Sequence, residues 1–293
     1  MFRMIDHNKH LRVFPLLIMA FMLLLVSSFN STIAETKIHQ ISYVDHLQRT
    51  SLLSIFPFRV EYLDGRRFLW CPPSSHPFEN GSPVLFLLHG ASQFDVSWFF
   101  GLSRWSQAQA QFASQARDQG FFIIAPNSGR PIQPGPRAWD AFTPQIQESE
   151  DLQFILNIIE WIHQNQPSVD SSCLFCLGFS SGAFMTSRIG HTLYDKFRGL
   201  IVHSGTNADM IELTNRGPVF DCTSTQNISQ THPPILIIHG GKDRFVPAEC
   251  GIHFHEELLR NGVISQLLFD PDGGHIWLST FNDDILQWIR AFM

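Results

Sequence analysis

The ten residues Cys173-Leu174-Phe175-Cys176-Leu177-Gly178-Phe179-Ser180-Ser181-Gly182 decide how this chain is read. An apolar run of five residues closed by glycine has the length and punctuation of a strand buried on both faces. Ala183, Phe184 and Met185 then open a helical pattern, so the spacing G-x-S-x-G occupies a turn from strand into helix. Such a turn strains the backbone at its serine and brings strand and helix close together, which is why glycines flank it. Ser180 is therefore the candidate nucleophile.

Outward from this stretch the chain alternates. Phe58 to Leu63, the turn Asp64-Gly65, and Arg66 to Trp70 predict a β-hairpin. Short apolar runs follow at Val84–Leu88, Phe121–Ala125, Cys173–Leu177, Leu200–His203, Ile235–Ile238 and Gln266–Phe269, each read as a doubly buried strand. Between them Trp105, Ala108, Phe112 and Ala116 share one helix face that Gly120 is placed to end, and Leu152, Ile155, Ile159 and Ile162 share another. Strand–helix alternation predicts an α/β architecture, a mostly parallel sheet with helices on both faces and an antiparallel N-terminal hairpin. The Pro-rich stretch Arg130 to Pro136 reads as a surface connection. Residues 205–234 are longer than a minimal crossover and are placed to form a lid or a wall over the site.

In open α/β sheets the ligand crevice lies beyond the carboxyl ends of the strands. Ile235–Ile238 runs into His239-Gly240-Gly241-Lys242-Asp243, and Gln266–Phe269 into Asp270-Pro271-Asp272-Gly273-Gly274-His275. Ser180, Asp243 and His275 thus stand in the order Ser…Asp…His, each just past a strand. A serine hydroxyl needs a histidine to take its proton, and a carboxylate to orient that histidine and stabilise its cation. Asp270 and Asp272 compete for the acidic role but lie close to His275 in sequence, where they are expected to shape its turn. After Val84–Leu88 comes His89-Gly90-Ala91-Ser92. The backbone N–H groups of Ala91 and Ser181 are the expected oxyanion donors, with His89 shaping the loop. Trp139 and Phe179, with Trp98 and Phe142 behind them, are candidates for an acyl or aryl pocket. In a chain with 27 Phe and 7 Trp, core packing is the competing role for each, as it is for His203.

Together Leu88-His89-Gly90, Gly178-Phe179-Ser180-Ser181-Gly182, His239-Gly240-Gly241-Lys242-Asp243 and Gly274-His275 resemble the α/β-hydrolase superfamily. Within it the chain is similar to the phospholipase/carboxylesterase group and to the polyhydroxybutyrate-depolymerase/feruloyl-esterase group. Phe122-Ile123-Ile124-Ala125-Pro126 followed by Arg137-Ala138-Trp139-Asp140 resembles their loop that ends in a tryptophan near the site. The resemblance spans roughly residues 80–293 and implies a serine esterase without a cofactor. Ala183 stands where depolymerase-like members often carry a second elbow glycine, and Ala91 where they often carry a cysteine. With 18 residues after His275, no appended polymer-binding domain is expected. These features point away from a solid polymer substrate.

The N-terminus reads as targeting. Arg3, Lys9 and Arg12 against Asp6 make a basic leader, Val13 to Val26 is uncharged and apolar, and Thr32-Ile33-Ala34 fits a small-x-small cleavage site. A signal peptide over 1–34 predicts a secreted or periplasmic chain with a single catalytic domain over 35–293. An uncleaved anchor is the alternative, because residues 13–34 carry no charge. Cleavage leaves no membrane span and moves the net charge from −6 to −8, which argues against a nucleic-acid partner. Five cysteines in an exported chain predict at least one disulfide. Cys173 and Cys176, at i and i+3 on a strand, point to opposite faces and are not expected to bond each other; Cys222 with Cys250 is a possible bridge, and the pairing among Cys71, Cys173, Cys176, Cys222 and Cys250 is left open by the sequence.

No metal is expected. His253 and His255 beside Glu256 do not face one another on a helix, and neither an HExxH nor a paired CxxC spacing occurs. The absence of a phosphate-binding glycine loop removes nucleotide cofactors. The reading is an exported serine hydrolase acting on a small-molecule or oligomeric carboxylic ester. The alternatives are a polyester or oligoester depolymerase or a peptidase with the same triad, and lastly a non-catalytic binding member of the fold.

Overall fold

The computed structural model describes residues 57–76, 78–100, 104–129, 138–214, 217–224 and 228–293. The leader over 1–34, the stretch Arg130 to Pro136 and Arg137 lie outside the described residues, as do 225–227 within the long connection.

Ten strands are described: β1 (Arg59–Leu63), β2 (Arg66–Cys71), β3 (Ser82–Leu88), β4 (Phe122–Pro126), β5 (Val169–Phe179), β6 (Gly199–His203), β7 (Ile211–Thr214), β8 (Gly217–Phe220), β9 (Ile235–Gly240) and β10 (Ser265–Asp270). Eight of them form one sheet in the order β1-β2-β4-β3-β5-β6-β9-β10. From β4 to β10 every pairing is parallel. The hairpin β1–β2 joins antiparallel at the edge against β4. This is the architecture that the alternation of strands and helices predicts. The hairpin turns through Asp64 (φ 52°) and Gly65 (φ 78°), the paired positive angles that make an Asp-Gly turn fit the twist of two strands.

The helices are α1 (Arg104–Asp118), α2 (Glu150–Asn165), α3 (Ser181–Thr192), α4 (Ala248–Arg260) and α5 (Asn282–Ala291). Gly120, at φ 96°, turns the chain just past α1. Ser149 caps α2, its hydroxyl accepting the Leu152 N–H at 3.3 Å, while Glu150 and Asp151 complement the helix dipole. Leu152, Ile155, Ile159 and Ile162 are all buried, and they pack into a core with Val84, Phe86, Leu88, Phe122 and Ile124 of the sheet. β3, β4, β6 and β9 are buried along their whole length. One expectation fails in part: β10 is only partly buried, and Phe269 is 40% exposed. It is the edge strand, so only β9 covers its flank. Its apolar run reads like a core strand because alternation is short and Leu267 still packs against the core.

The catalytic-looking turn is the tightest place in the fold. Leu88 of β3 pairs with Gly178 of β5, and α3 starts immediately beyond. A Cβ on Gly178 would collide with the Gly182 carbonyl, and one on Gly182 would collide with the Leu88 carbonyl. Both clashes are with backbone, which cannot swing aside.

The connection over 205–234 carries the two-stranded ribbon β7–β8. It is fastened at several points. Cys222 forms a disulfide with Cys250 of α4, Thr206 Oγ1 donates to the Cys250 carbonyl at 2.8 Å, and Ala208 N–H donates to Ser187 Oγ at 3.0 Å. Arg188 of α3 pairs with Asp209 and donates through Nε to the Ala141 carbonyl at 2.7 Å. Cys71, Cys173 and Cys176 are free and buried, as the strand geometry predicts for the latter two. Burial pushes the Cys176 thiol up to about 12.

Two predictions follow from this packing. Gly182→Ala is expected to cost about 3 kcal/mol or more, read as a fall in the urea midpoint; an unchanged midpoint would show that the elbow can relax. Burial also lowers the pKa of His191, His203, His232 and His239 below the ordinary 6.5, to about 3 for His203 and about 4 for His232. The unfolded chain takes up these protons near its ordinary value while the folded chain refuses them. Their contribution is therefore complete above that value and is lost as pH falls. Stability measured by urea unfolding is expected to decline from about pH 7 to about pH 5, before carboxylates titrate; a flat profile over that window would contradict it.

Candidate active site

Ser180 sits between β5 and α3 with φ 54° and ψ −116°, a conformation that costs energy for any residue bearing a Cβ. Its N–H donates to the His203 carbonyl at 2.9 Å, and its carbonyl accepts from Ala183 N–H at 2.8 Å. The strained turn thus aims Oγ out of the sheet.

Asp243 follows β9. Its carboxylate is fully buried, with Oδ1 accepting the N–H groups of Phe245 and Val246, both at 2.9 Å. Burial alone would raise its pKa. The hydrogen bond from His275, the Val246 and Phe245 N–H groups and the histidine charge outweigh burial and hold the carboxyl below its ordinary value.

The turns after β9 and β10 are zipped together by backbone. Gly241 N–H donates to the Asp270 carbonyl and Lys242 N–H to the Gly273 carbonyl, both at 2.7 Å. This places His275 beside Asp243. His275 Nδ1 lies 2.7 Å from Asp243 Oδ2, and Nε2 lies 2.9 Å from Ser180 Oγ. Side chains 95 and 32 residues apart in sequence therefore form one continuous hydrogen-bonded line. Asp270 and Asp272 stand outside it: Asp270 Oδ1 accepts the Asp272 N–H at 2.9 Å, and Asp272 pairs with Lys242.

The loop after β3 faces the same serine. A Cβ built on Gly90 would lie 3.4 Å from Ser180 Cβ and 3.1 Å from the Phe179 ring, so this backbone runs beside the nucleophile. Gly90 N–H is occupied by Gln93 Oε1 at 2.9 Å, which fixes the loop and leaves Ala91, the next residue, exposed. His89 is fully buried, and its Nε2 accepts the Ser128 N–H at 3.1 Å, consistent with a loop-shaping role.

The two residues expected to line a pocket are both buried. Trp139 is 1% exposed; its indole N–H donates to the His89 carbonyl at 2.9 Å, and its backbone N–H donates to Ser181 Oγ at 3.0 Å. It braces the β3 loop and the start of α3. Phe179 is 5% exposed and lies under His275, ring centroids 5.3 Å apart. Trp98 is fully buried against Trp277. The residue at the mouth that sequence reasoning missed is Phe245. It is 73% exposed, with its ring 5.2 Å from that of His275. Ile276, the neighbour of His275, is 40% exposed. The signal for Phe245 was its place two residues after Asp243. Gln93, partly buried, and Gln109, buried, were missed as well, being polar residues that no apolar period marks. Gln109 Nε2 donates to Gln93 Oε1 at 3.4 Å.

Among the described residues, no cluster of three or more His, Cys, Asp or Glu side chains is placed to hold a metal ion. His253 and His255 turn to different partners, the Ser224 carbonyl and Ser265 Oγ.

The model of the family described as phospholipase/carboxylesterase matches residues 76–292. A poly(3-hydroxyoctanoate) depolymerase from Pseudomonas fluorescens is 27% identical over 233 residues, 77% of this chain and 80% of that protein. Feruloyl esterase B from Thermothelomyces thermophilus is 28% identical over 59% of this chain and 62% of its own length. A dipeptidyl-peptidase 5 from Aspergillus fumigatus is 27% identical, but the chain spans only 32% of it. Among solved structures, an acetyl xylan esterase from Aspergillus awamori superposes with a TM-score of 0.59 at 16% identity, covering 81% of this chain and all of that one, and so shares the fold. The chain belongs to the phospholipase/carboxylesterase family of α/β-hydrolases.

Proposed function

We propose that this chain is an exported serine hydrolase that cleaves carboxylic esters through Ser180, His275 and Asp243. The observation that carries the reading is the line Ser180 Oγ, His275 and Asp243 at 2.9 and 2.7 Å, ending on a carboxylate held ionised. His275 accepts the Ser180 proton through Nε2 as Oγ adds to the ester carbonyl, while Nδ1–H remains on Asp243. The N–H groups of Ala91 and Ser181 receive the oxyanion. The alcohol leaves with the proton from His275, and water then releases the acid from Ser180 by the reverse order of transfers. No cofactor enters this sequence.

Export rests on the leader over 1–34 together with the Cys222–Cys250 disulfide, which suits an oxidising compartment. The exposed Phe245 ring beside His275 suits an apolar acyl or alcohol group. It also favours a second reading, hydrolysis of soluble hydroxyalkanoate oligomers, to which the depolymerase relative lends support.

On p-nitrophenyl esters from acetate to decanoate, Ser180→Ala is expected to lose roughly 10⁴- to 10⁶-fold in kcat, and Asp243→Asn roughly 10⁴-fold. Turnover by Ser180→Ala equal to that of the wild type would overturn the reading.

A further inference from the structure

The residue that closes β6 bonds both to the turn that carries Ser180 and to the loop that carries His275, without belonging to the proposed triad. His203 is fully buried, and its carbonyl accepts the Ser180 N–H at 2.9 Å. Its ring Nε2 accepts the Leu278 N–H at 3.0 Å, three residues beyond His275 in the same loop. One residue thus fastens the nucleophile turn by its backbone and the histidine loop by its side chain.

The details of the ring make this fastening directional. An accepting Nε2 must be unprotonated, so the proton sits on Nδ1, which donates to Ser204 Oγ at 3.0 Å. Ser204 itself is held at φ 53°, with its N–H on the Ile238 carbonyl at 2.8 Å. The Trp277 indole stacks on the His203 ring at 4.6 Å and 17°, and Phe179 meets the ring at 5.4 Å. Burial, then the nearby His239 and His275, push His203 down to about 3 despite the opposing charge of Asp243. The ring therefore stays neutral and keeps its acceptor lone pair. An aromatic hydrocarbon would fill this space and stack equally well. What histidine adds is the acceptor for Leu278.

We infer that His203 is a positioning residue for the ester hydrolysis proposed above, holding Ser180 and the His275 loop in one register so that Oγ and Nε2 meet. It touches no reacting atom and acts through the two residues it fastens. The inference rests on the esterase reading.

The test compares His203→Phe, which keeps the stacked ring but deletes the acceptor, with His203→Gln, which returns an acceptor near the same point. With both shown folded by thermal melts, His203→Phe is expected to lose roughly 10- to 100-fold in kcat on p-nitrophenyl butyrate with KM within about threefold, since a misplaced catalytic group costs on that order. His203→Gln is expected to recover most of the loss. Wild-type kcat in His203→Phe, a loss carried by KM alone, or a loss that His203→Gln fails to restore would each overturn the inference. Should His203→Phe not fold, Leu278→Pro removes the same hydrogen bond from the donor side, with Leu278 already at φ −86°, near the proline range. Its kcat and KM are read by the same criteria. An inactive wild type would overturn the esterase reading and this inference with it, whereas an active wild type with an unimpaired His203→Phe would overturn the inference alone.

Discussion

A side chain at position 182 would run into the Leu88 carbonyl, and one at 178 would run into residue 182, so β3, β5 and α3 meet with only backbone between them. The rest of the site depends on this contact. It forces Ser180 into its strained turn, because a relaxed backbone there would let α3 drift away from the sheet. It brings the loop after β3 alongside the nucleophile, with Gly90 facing Ser180 and Phe179. It also starts α3 directly at the nucleophile, the N–H groups of Ala183 and Phe184 donating to the Ser180 carbonyl.

Around that contact the polar groups are organised in two layers. Asp243, His275 and Ser180 form the line that would move a proton. Behind it stand groups that move nothing: Trp139 on His89 and Ser181, Gln93 on Gly90, and the N–H groups of Phe245 and Val246 on Asp243. Asp151 performs the same service farther out. Its carboxylate accepts the N–H groups of Gly129 and Asp140, gathering the chain on either side of residues 130–137, while Arg66 balances its charge. Buried carboxylates without such partners would be strongly destabilising.

Much of this was legible in the sequence because the fold states its strands as apolar runs and its site as glycine punctuation. The elbow around Ser180 and the residues after β9 and β10 could be placed because each follows a strand end, and strand ends converge in a parallel sheet. The edge position of β10 was not legible: Leu267, Leu268 and Phe269 give the same run that a central strand gives, and only the sheet order shows which flank lies open. Trp139 read as a pocket residue because large aromatics near a site serve either role; its two hydrogen bonds, invisible in sequence, decide for packing. His203 read as core for a related reason. Burial and function look alike when the functional act is to hold a neighbour.

Ester hydrolysis by this chain requires that Ser180 be a hydroxyl made nucleophilic by its surroundings. Reaction of the intact protein with a fluorophosphonate, followed by peptide mass analysis, tests that directly, since such reagents phosphonylate an activated serine. A single adduct per chain is expected on the peptide carrying Ser180, formed with concurrent loss of ester hydrolysis. An adduct on another residue, or undiminished hydrolysis with Ser180 fully modified, would contradict it.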